Sequence, residues 1–431
     1  MIMTDKYERR SFIKKLLGGS AAAITLPSIG WTNRNRFDQF PKFKEWTQPE
    51  EDYWALVKNQ YQIKPGLIMM NAANFCPSPY PVSHAMADHL DSLNSNASSQ
   101  DRKKYHAIYD ETVNLLADYL GAQPEEIAIT RNTSESNNMI NNGLDLKPAD
   151  EVIYWEQNHQ TLNIAWEVRA KRAGFKIIKV STPRSPENEE DLIRPFTDVM
   201  TKKTRLICFS HISNISGTLL PVQRLCAIAR DKGILSLVDG AQTFGFMNVD
   251  LEELGCDFYT GSAHKWLTGP KESGVLYVKK NQLNKVWPLV ISKDWTWGNE
   301  WKIENLVRYG QRNDATIAAF GKAVEFHNMI GKDKVEARVR ELATSLKDKL
   351  SMTLREIEFV TPENAKMNAC ILVFNLPGID SDTAVARLYS DYKIAAAGTH
   401  DGFNGIRLSP NIYNTKEELD QVVKALRELK I

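Results

Sequence analysis

The amino-acid sequence predicts an α/β protein, in which helices cover both faces of a mostly parallel mixed sheet and a smaller C-terminal α+β domain follows. The main observation is a rhythm after residue 126, where short apolar segments alternate with longer segments of helical periodicity. This alternation is typical of parallel strands that are joined by helices. The chain is also long enough for a large core, with 431 residues of which 42% are hydrophobic.

The strands of the large sheet are predicted where short apolar segments end at polar turns. Their ranges are 127–130, 152–155, 176–180, 205–210, 235–239, 258–261 and 275–278. Helices are predicted between most of them, at 134–143, 162–173, 188–200 and 222–232. Because ligands of such sheets bind outside the carboxyl ends of the strands, functional residues are expected at those ends.

The chain is predicted to have four segments. Residues 1–30 are a signal segment, 31–75 an N-terminal arm, 76–315 the large domain and 316–431 the small domain. Further elements are a helix near 49–60, a short strand within 67–75, a long helical region at 83–120, a helix from 316 to 350 that is broken at Gly331, strands at 370–374 and 405–408, and a helix at 415–429.

The N-terminal segment resembles a twin-arginine export signal. Arg9 and Arg10 precede Phe12, and an apolar run from Leu16 to Leu26 follows. That run is too short for a comfortable permanent membrane anchor. The pattern predicts that the twin-arginine export machinery carries the folded protein to the periplasm, with the cleavage point left open. The alternative is a basic tail followed by a small helix.

Composition argues against some classes of function. The formal net charge is +1, so no basic footprint indicates nucleic acid as a partner. The five cysteines are scattered without a CxxC pair, which argues against a zinc site and against a disulfide framework. One chance disulfide stays open.

Lys265 lies in the most informative segment of the chain. The segment reads Gly-Ser-Ala-His-Lys-Trp and follows a predicted strand, while Asp239 ends the predicted strand before it. A lysine amine forms a Schiff base with pyridoxal phosphate (PLP), and a carboxylate keeps the pyridinium nitrogen of PLP protonated. The pair therefore predicts a PLP site. Taken alone, Asp239 is better explained as the start of an Asp-Gly turn.

A phosphate-binding region is predicted at residues 130–137, where a strand opens into a helix. Backbone N–H groups there, with the hydroxyls of Thr133 and Ser134, suit a phosphate dianion. Ser262 and His264 flank Lys265 and are expected to reach the same phosphate. The alternative for Thr133 or Ser134 is a helix cap.

Other polar residues at strand ends are assigned to the ring and to the substrate. Gln242 is expected to donate to the phenolic oxygen of PLP and His159 to stack on its ring, although a loop histidine is often merely exposed. Asn214 is expected to bind a cofactor oxygen or the substrate carboxylate. Arg407, on a late strand, is expected to bind that carboxylate with its guanidinium fork unless it forms a surface ion pair. Asn74, near the end of the first predicted strand, is also assigned to the substrate.

Taken together, the motifs resemble the class V aminotransferase family of fold-type I PLP enzymes, which includes cysteine desulfurases and isopenicillin N epimerases. The resemblance runs from Asn71 to the C-terminus and depends on five sequences, Thr-Arg-Asn-Thr-Ser-Glu, Ser-His-Ile-Ser-Asn-Ile-Ser-Gly, Val-Asp-Gly-Ala-Gln, Gly-Ser-Ala-His-Lys and Ile-Arg-Leu-Ser-Pro. It implies that Lys265 carries the cofactor, that Asp239 contacts its ring nitrogen and that His159 stacks on the ring.

The resemblance also implies a homodimer in which the neighbouring subunit reaches the phosphate through a Gly-Thr pair. Here residues 309–314 read Tyr-Gly-Gln-Arg-Asn-Asp, so Gln311 replaces the threonine and Arg312 is expected to make the contact. This pattern is closer to the epimerase-like branch than to desulfurases. Trp295, Trp297 and Trp301 either line an entrance or pack at the dimer interface.

The sequence leaves the reaction open. A cysteine desulfurase needs a thiolate on the loop before the late arginine, but residues 395–404 contain no cysteine and Cys370 lies in an apolar strand. This argues against desulfuration through a persulfide. Amino-group transfer, epimerisation and elimination such as C–S lysis remain. The non-enzymatic alternative is an exported PLP-binding protein without turnover.

Overall fold

The structure is a computed structural model that describes residues 51–292, 301–308, 310–399 and 402–429. The predicted export signal and most of the predicted arm therefore lie outside the described residues. Within the described ranges, no helix combines the length and the apolar character needed to cross a membrane.

The strands are short, and their ends define where the functional residues lie. They are β1 (Ile68–Met69), β2 (Ile127–Thr130), β3 (Glu151–Trp155), β4 (Lys176–Val180), β5 (Thr204–Ser210), β6 (Leu235–Asp239), β7 (Phe258–Ser262), β8 (Gly274–Val278), β9 (Glu358–Phe359), β10 (Leu372–Asn375), β11 (Ile394–Ala395), β12 (Ala397–Thr399) and β13 (Gly405–Leu408).

Most helices lie in predicted intervals, with bounds that differ by a few residues, whereas the helices at 251–254 and 381–392 were not predicted. The α-helices are α1 (Glu51–Lys58), α2 (Tyr80–Ser95), α3 (Ser99–Arg102), α4 (Lys104–Leu120), α5 (Thr133–Gly143), α6 (Gln160–Ala173), α7 (Glu190–Thr197), α8 (Val222–Asp231), α9 (Leu251–Leu254), α10 (Asp314–Ile330), α11 (Lys332–Thr353), α12 (Ser381–Tyr392) and α13 (Lys416–Leu429).

The large sheet has seven strands in the order β2-β8-β7-β6-β5-β3-β4. Strands β4, β3, β5, β6 and β7 pair in parallel, whereas β8 is antiparallel to both β7 and β2. Alternate residues face opposite sides, so Ile153 packs in one hydrophobic core with α4 and α8 while Val152 and Tyr154 pack in another with α5 and α6. The predicted mixed sheet covered on both faces is confirmed.

The smaller sheet has four antiparallel strands in the order β12-β13-β10-β9. Its hydrophobic core combines residues of α11, α12 and α13 with Ile68 and Met70 from the start of the described chain. The parallel pair of β1 and β11 makes the same connection, with Ile68 opposite Ile394. The smaller C-terminal sheet domain is therefore confirmed, and an N-terminal segment completes it.

Some local predictions change. The helical region predicted at 83–120 consists of three helices, because the chain breaks at residues 96–98 and Ser98 caps α3. The strand predicted within 67–75 is limited to β1, because the N–H groups of Asn74 and Phe75 both donate to the carbonyl of Asn71 and form a turn. The predicted break at Gly331 is confirmed, with a φ of 100° at that glycine.

Candidate cofactor and substrate site

Asp239 lies at the carboxyl end of β6, in register with Ser210 of β5 and Thr260 of β7. Its carboxylate is buried and accepts hydrogen bonds from the Ala241 N–H at 3.0 Å and from Nδ2 of Asn137 at 2.9 Å. The bond from the Ala241 N–H is typical of an Asp-Gly turn. The alternative explanation of Asp239, as the start of such a turn, is therefore also correct. Both donors are neutral, which leaves the charge of the carboxylate available to a ligand.

Asn137 is a functional residue that the sequence reasoning missed. Its Oδ1 accepts from Oγ1 of Thr260 at 2.9 Å while its Nδ2 holds Asp239, so the amide fixes the direction of the carboxylate. The signal was present in its position four residues after Thr133, which puts both side chains on one face of α5. The amide partner of a buried acid, however, is chosen by tertiary packing.

Lys265 follows β7 and is partly buried. Burial lowers its pKa to about 8; the charge of Arg407 acts in the same direction, whereas Asp239 and the Cys76 thiol oppose the shift. These effects require the three charged groups to lie near one another. A lysine with a lowered pKa is partly neutral near physiological pH, and a neutral amine is the form that forms a Schiff base.

The predicted phosphate region joins the start of α5 to the end of β7. The N–H of Thr133 donates to Oγ of Ser262 at 2.9 Å, and the two hydroxyls lie 2.8 Å apart. Asn132 caps α5 by accepting from the Glu135 N–H, so the alternative that Thr133 or Ser134 is the cap is wrong. Ser134 is exposed and is not the cap of the helix.

Gly274 allows this close approach. A Cβ on that residue would lie 2.8 Å from Cα of Asn132, which no real side chain tolerates, so β8 needs a glycine where it passes the start of α5. His264 lies beside Lys265, and burial followed by the charges of Lys265 and Lys271 lowers its pKa to about 4. Its imidazole is therefore neutral at physiological pH and can both donate and accept hydrogen bonds.

Arg407 lies on β13 and is buried, with 8% of its surface exposed. One terminal nitrogen donates to the carbonyl of Asn214 at 2.9 Å and the other to Oδ1 of Asn71 at 3.1 Å. Burial lowers its pKa to about 10. Both acceptors are neutral, so the alternative of a surface ion pair is wrong among the residues that are described.

Asn71 is a second residue that the sequence reasoning missed, because it is far from Arg407 along the chain and begins no helix or strand. Asn214 contributes its backbone carbonyl to Arg407 rather than its side chain. Asn74 is exposed, and its described contact is a backbone bond to Asn71. Its assignment to the substrate stays a prediction.

His159 caps α6, with its Nδ1 accepting from the Thr161 N–H at 3.3 Å. The ring is exposed to water, yet the charges of Lys265, Asp239 and Arg407 all act on it. Partial burial, together with the two cations, lowers its pKa. The histidine thus lies near Lys265, while its stacking on a ring stays a prediction.

Gln242 is buried and already has two protein partners. Its Nε2 donates to the carbonyl of Ala73 at 2.9 Å, and its Oε1 accepts from Nε1 of Trp266 at 2.8 Å. The amide carries a second N–H group that can serve a cofactor oxygen. Gln242 therefore ties the segment near Asn71 to the segment that contains Lys265.

Arg312 donates to the carbonyl of Ile129 within its own chain. Its predicted contact with a neighbouring subunit stays a prediction. Trp295 and Trp297 lie outside the described residues, whereas Trp301 packs edge-to-face on Trp287 with ring centroids 5.0 Å apart.

The five cysteines are free and buried. Burial raises the pKa of the Cys76 thiol to about 11 and that of Cys226 to about 12, and it also raises the pKa values of Cys208, Cys256 and Cys370. Each thiol is therefore protonated near neutral pH and poorly nucleophilic. Among the described side chains, no group of three or more His, Cys, Asp or Glu residues is arranged to hold a metal ion.

These residues fit PLP. Asp239 offers a buried carboxylate for a protonated ring nitrogen, and Lys265 offers an amine with a lowered pKa. Thr133 and Ser262 gather hydroxyls where the start of a helix favours an anion. Arg407 adds a buried cation whose acceptors are neutral, which suits a substrate carboxylate.

Comparison with known proteins agrees with this site. A model of the family "Aminotransferase class-V" matches residues 70–422. An isopenicillin N epimerase from Amycolatopsis lactamdurans is 30% identical over 395 residues, which cover 87% of this chain and 98% of that protein. A probable cysteine desulfurase from Halalkalibacterium halodurans is 29% identical over 394 residues, which cover 84% of this chain and 93% of that protein.

The fold is likewise that of a solved relative. The apo structure of a cysteine desulfurase from Thermococcus onnurineus NA1 superposes with a TM-score of 0.79 at 25% identity, covering 89% of this chain and 98% of that one. The predicted PLP fold-type I architecture is confirmed. The protein therefore belongs to the aminotransferase class-V family, and pyridoxal 5'-phosphate is its cofactor.

Proposed function

We propose that the protein acts at the amino-bearing carbon of an amino acid or short peptide, by epimerisation or by amino-group transfer. The observation that carries the proposal is that three charged groups lie close enough to act on one another. Lys265 has a pKa lowered to about 8, and both the carboxylate of Asp239 and the buried guanidinium of Arg407 act on it. An amine, an acid and an unpaired cation are what this chemistry requires.

Each of the three groups has a distinct task in this proposal. PLP, when bound, withdraws electrons from the carbon that carries the amino group and makes its proton acidic. Asp239 holds the ring nitrogen protonated, and Asn137 orients its carboxylate. Arg407 fixes the substrate carboxylate, and Lys265 removes the proton from the carbon. Epimerisation further requires that a proton return to the opposite face of that carbon, whereas amino-group transfer does not. The charge of Lys265 acts on both His159 and His264, so both imidazoles lie near it.

The state of the cysteines supports a reaction without a persulfide on the protein. A desulfurase thiol must be exposed and ionised to attack sulfur, whereas all five thiols here are buried and their pKa values are raised. The name of the Halalkalibacterium relative therefore does not transfer directly. The epimerase relatives at 30% and 26% identity support chemistry at the amino-bearing carbon.

The proposal is tested with the purified PLP-loaded protein and a panel of amino acids and short peptides in deuterated water. Exchange of the proton on the amino-bearing carbon, followed by mass spectrometry, is expected for the substrate. Loss of optical activity without keto acid then indicates epimerisation, and a new amino acid after addition of a keto acid indicates transfer. An unchanged cofactor absorbance and no exchange across the panel would instead support the alternative of a PLP-binding protein without turnover.

A β-eliminating lyase is the second candidate. The relatives named cysteine desulfurases support it, because removal of sulfur from cysteine also breaks a C–S bond. Cystine and S-substituted cysteines are then the compounds to test. Release of pyruvate and ammonia from them, without epimerisation of other amino acids, would favour the lyase over the main proposal.

Export and dimer formation complete the proposal. The pair Arg9 and Arg10 supports transport to the periplasm, and replacement of both by lysine is expected to retain the protein in the cytoplasm. Unchanged fractionation of this variant would contradict export. A homodimer is expected from light scattering of the purified protein, with Arg312 near the cofactor phosphate of the neighbouring subunit.

A further inference from the structure

The buried amide of Gln242 connects the segment of Asp239 with the segment of Lys265. Gln242 follows Ala241, whose N–H binds the carboxylate of Asp239 at 3.0 Å, and its side chain is bonded to the residue directly after Lys265. Only 3% of Gln242 is exposed, so its amide depends on the protein or on a ligand for hydrogen bonds. The orientation of this amide therefore decides which group it offers to a cofactor.

Two protein partners of opposite kind fix that orientation. Nε1 of Trp266 donates to Oε1 of Gln242 at 2.8 Å, while Nε2 of Gln242 donates to the carbonyl of Ala73 at 2.9 Å. An indole N–H can only donate, and a carbonyl oxygen can only accept. If the amide turned over, its two ends would each face a group of the same kind and both bonds would be lost. The second N–H of Nε2 has no acceptor among the residues that the structure describes.

Trp266 is itself held in place, so its N–H has one direction. The side chain is fully buried, and its ring packs on Phe246 with ring centroids 4.9 Å apart. The carbonyl of Trp266 accepts from Nδ2 of Asn411 at 3.4 Å, which holds the backbone of the same residue. A buried indole N–H without an acceptor is unfavourable, so the bond to Gln242 satisfies both side chains. The direction of the amide thus follows from the packing of the segment that carries Lys265.

We propose that Trp266 is a positioning residue, which orients the amide of Gln242 so that its second N–H faces the phenolic oxygen of PLP. Without the indole donor, the carbonyl of Ala73 alone would hold the amide, and a turned amide would place its own oxygen against that of the cofactor. The inference goes beyond the proposed function, because it concerns how the cofactor is held and not which bond of the substrate breaks.

The first experiment measures the binding of PLP and of 3-deoxypyridoxal 5'-phosphate, which lacks the phenolic oxygen, to the cofactor-free protein by equilibrium dialysis. Trp266→Phe should lower the ratio of the two affinities about fivefold, since a neutral hydrogen bond contributes roughly that factor. Gln242→Met, which removes the amide, should lower the ratio at least as much. In the Gln242→Met background, Trp266→Phe should not change the ratio further, because both residues act through the same amide.

The second experiment follows the visible absorbance of the PLP-loaded protein as a function of pH. The phenolic oxygen shares a proton with the Schiff-base nitrogen of Lys265, and a donor to that oxygen weakens its hold on the proton. Trp266→Phe should therefore move the midpoint of the absorbance change to higher pH, by about one unit, as expected for one hydrogen bond to a charged group. Gln242→Met should move the midpoint in the same direction. A merely structural role of Trp266 predicts no shift.

Trp155→Phe is the matched control. The indole of Trp155 is also fully buried and donates to Oγ1 of Thr182 at 3.1 Å, but Trp155 lies on β3, two strands from β6 in the sheet. This variant should leave the affinity ratio and the midpoint unchanged. Benzothienylalanine at position 266, in which sulfur replaces the indole N–H, tests the same bond if Trp266→Phe does not fold.

An equal loss of affinity for PLP and for its analogue in Trp266→Phe would mean that the indole only supports the fold, and it would overturn the inference. An unchanged ratio with an unchanged midpoint would overturn it as well. Neither measurement uses a substrate, so these outcomes leave the proposed function intact. A protein that binds PLP as expected but responds to no amino acid would overturn the proposed function alone.

Discussion

Two buried arginines show how the same side chain serves different ends. Arg338 on α11 is 2% exposed and Arg407 on β13 is 8% exposed. Arg338 binds both carboxylate oxygens of Glu51, at 2.6 and 3.0 Å, and a carboxylate oxygen of Glu341 at 3.0 Å. Arg407 binds only a carbonyl and an amide oxygen.

In both arginines Nε is buried and lacks a hydrogen-bond partner, so this feature does not distinguish Arg338 from Arg407. The charge of the groups that accept their hydrogen bonds does distinguish them. Arg338 is neutralised by its own chain and joins α1 to α11, so its role is structural. Arg407 keeps an uncompensated charge beside Lys265, so its natural counter-ion comes from outside the protein.

The largest expected effect is on stability at the neutralised arginine. Arg338→Met should lower the free energy of unfolding by about 3 kcal/mol, because it removes a bidentate charge-assisted bond to Glu51 and the donor to the carbonyl of Asn414, while Lys416 still pairs with Glu51. Denaturant unfolding of the cofactor-free protein measures it. Arg340→Met on the same helix is the control, since that more exposed ion pair should contribute less than about 1 kcal/mol. Equal free energies of unfolding for Arg338→Met and Arg340→Met would contradict the structural role of Arg338.

The next effect is on ligand binding at the other arginine. Arg407→Met should weaken amino-acid binding by about 2 kcal/mol, roughly 30-fold, because the substrate carboxylate loses its partner. The free energy of unfolding should stay the same or rise, since an uncompensated buried cation is removed. Absorbance titration and denaturant unfolding provide the two readouts. A simple amine without a carboxylate should bind both proteins alike, and a loss of stability as large as that of Arg338→Met would refute the distinction.

A smaller effect concerns the pH dependence of cofactor loading. The pKa of Lys265 is lowered to about 8, so its neutral amine grows from about one tenth at pH 7 to about nine tenths at pH 9. PLP uptake by the cofactor-free protein should therefore accelerate about tenfold over that range. Arg407→Met should move the midpoint to higher pH, because the charge of Arg407 lowers this pKa. Arg338→Met should leave it in place, and a midpoint near 10 in the parent protein would contradict the assignment.

The smallest effect concerns Asp239, the buried acid of the site, whose hydrogen-bond donors are neutral just as the acceptors of Arg407 are. Asn137→Ala should weaken PLP binding by about 1 kcal/mol, roughly fivefold, because the carboxylate loses one neutral donor. Asn142→Ala, on the outer side of the same helix, is the control and should bind PLP normally. Equal affinity of both variants would mean that Asn137 does not orient the acid.

The contrast also explains what the sequence can predict. The end of a strand can be recognised from neighbouring residues, because a short apolar segment stops where a polar turn begins. Asp239 and Lys265, which lie at or just after such ends, could therefore be located from the sequence. The partners of those residues are not local. Asn71 meets Arg407 and Asn137 meets Asp239 only after the sheets and helices pack. The spacing of Asn137 from Thr133 indicates that they share a helix face, but it does not identify Asp239 as the partner. The cap of α5 was also misassigned, because Asn132, Thr133 and Ser134 are all good cap residues and backbone geometry decides among them.

The contacts of Met70 and Asn71, just after β1, with the region of β13 have a consequence for the order in which the site forms during synthesis. Asn71 is made early, but its partner Arg407 lies close to the end of the chain, and the carbonyl of Met70 is bound by the Ser409 N–H. Such distant contacts form late because the intervening chain must fold first. A ribosome-bound chain can already contain Lys265 and Asp239, yet it lacks Arg407. The part of the site that is proposed to hold the substrate carboxylate therefore assembles only when translation is nearly complete.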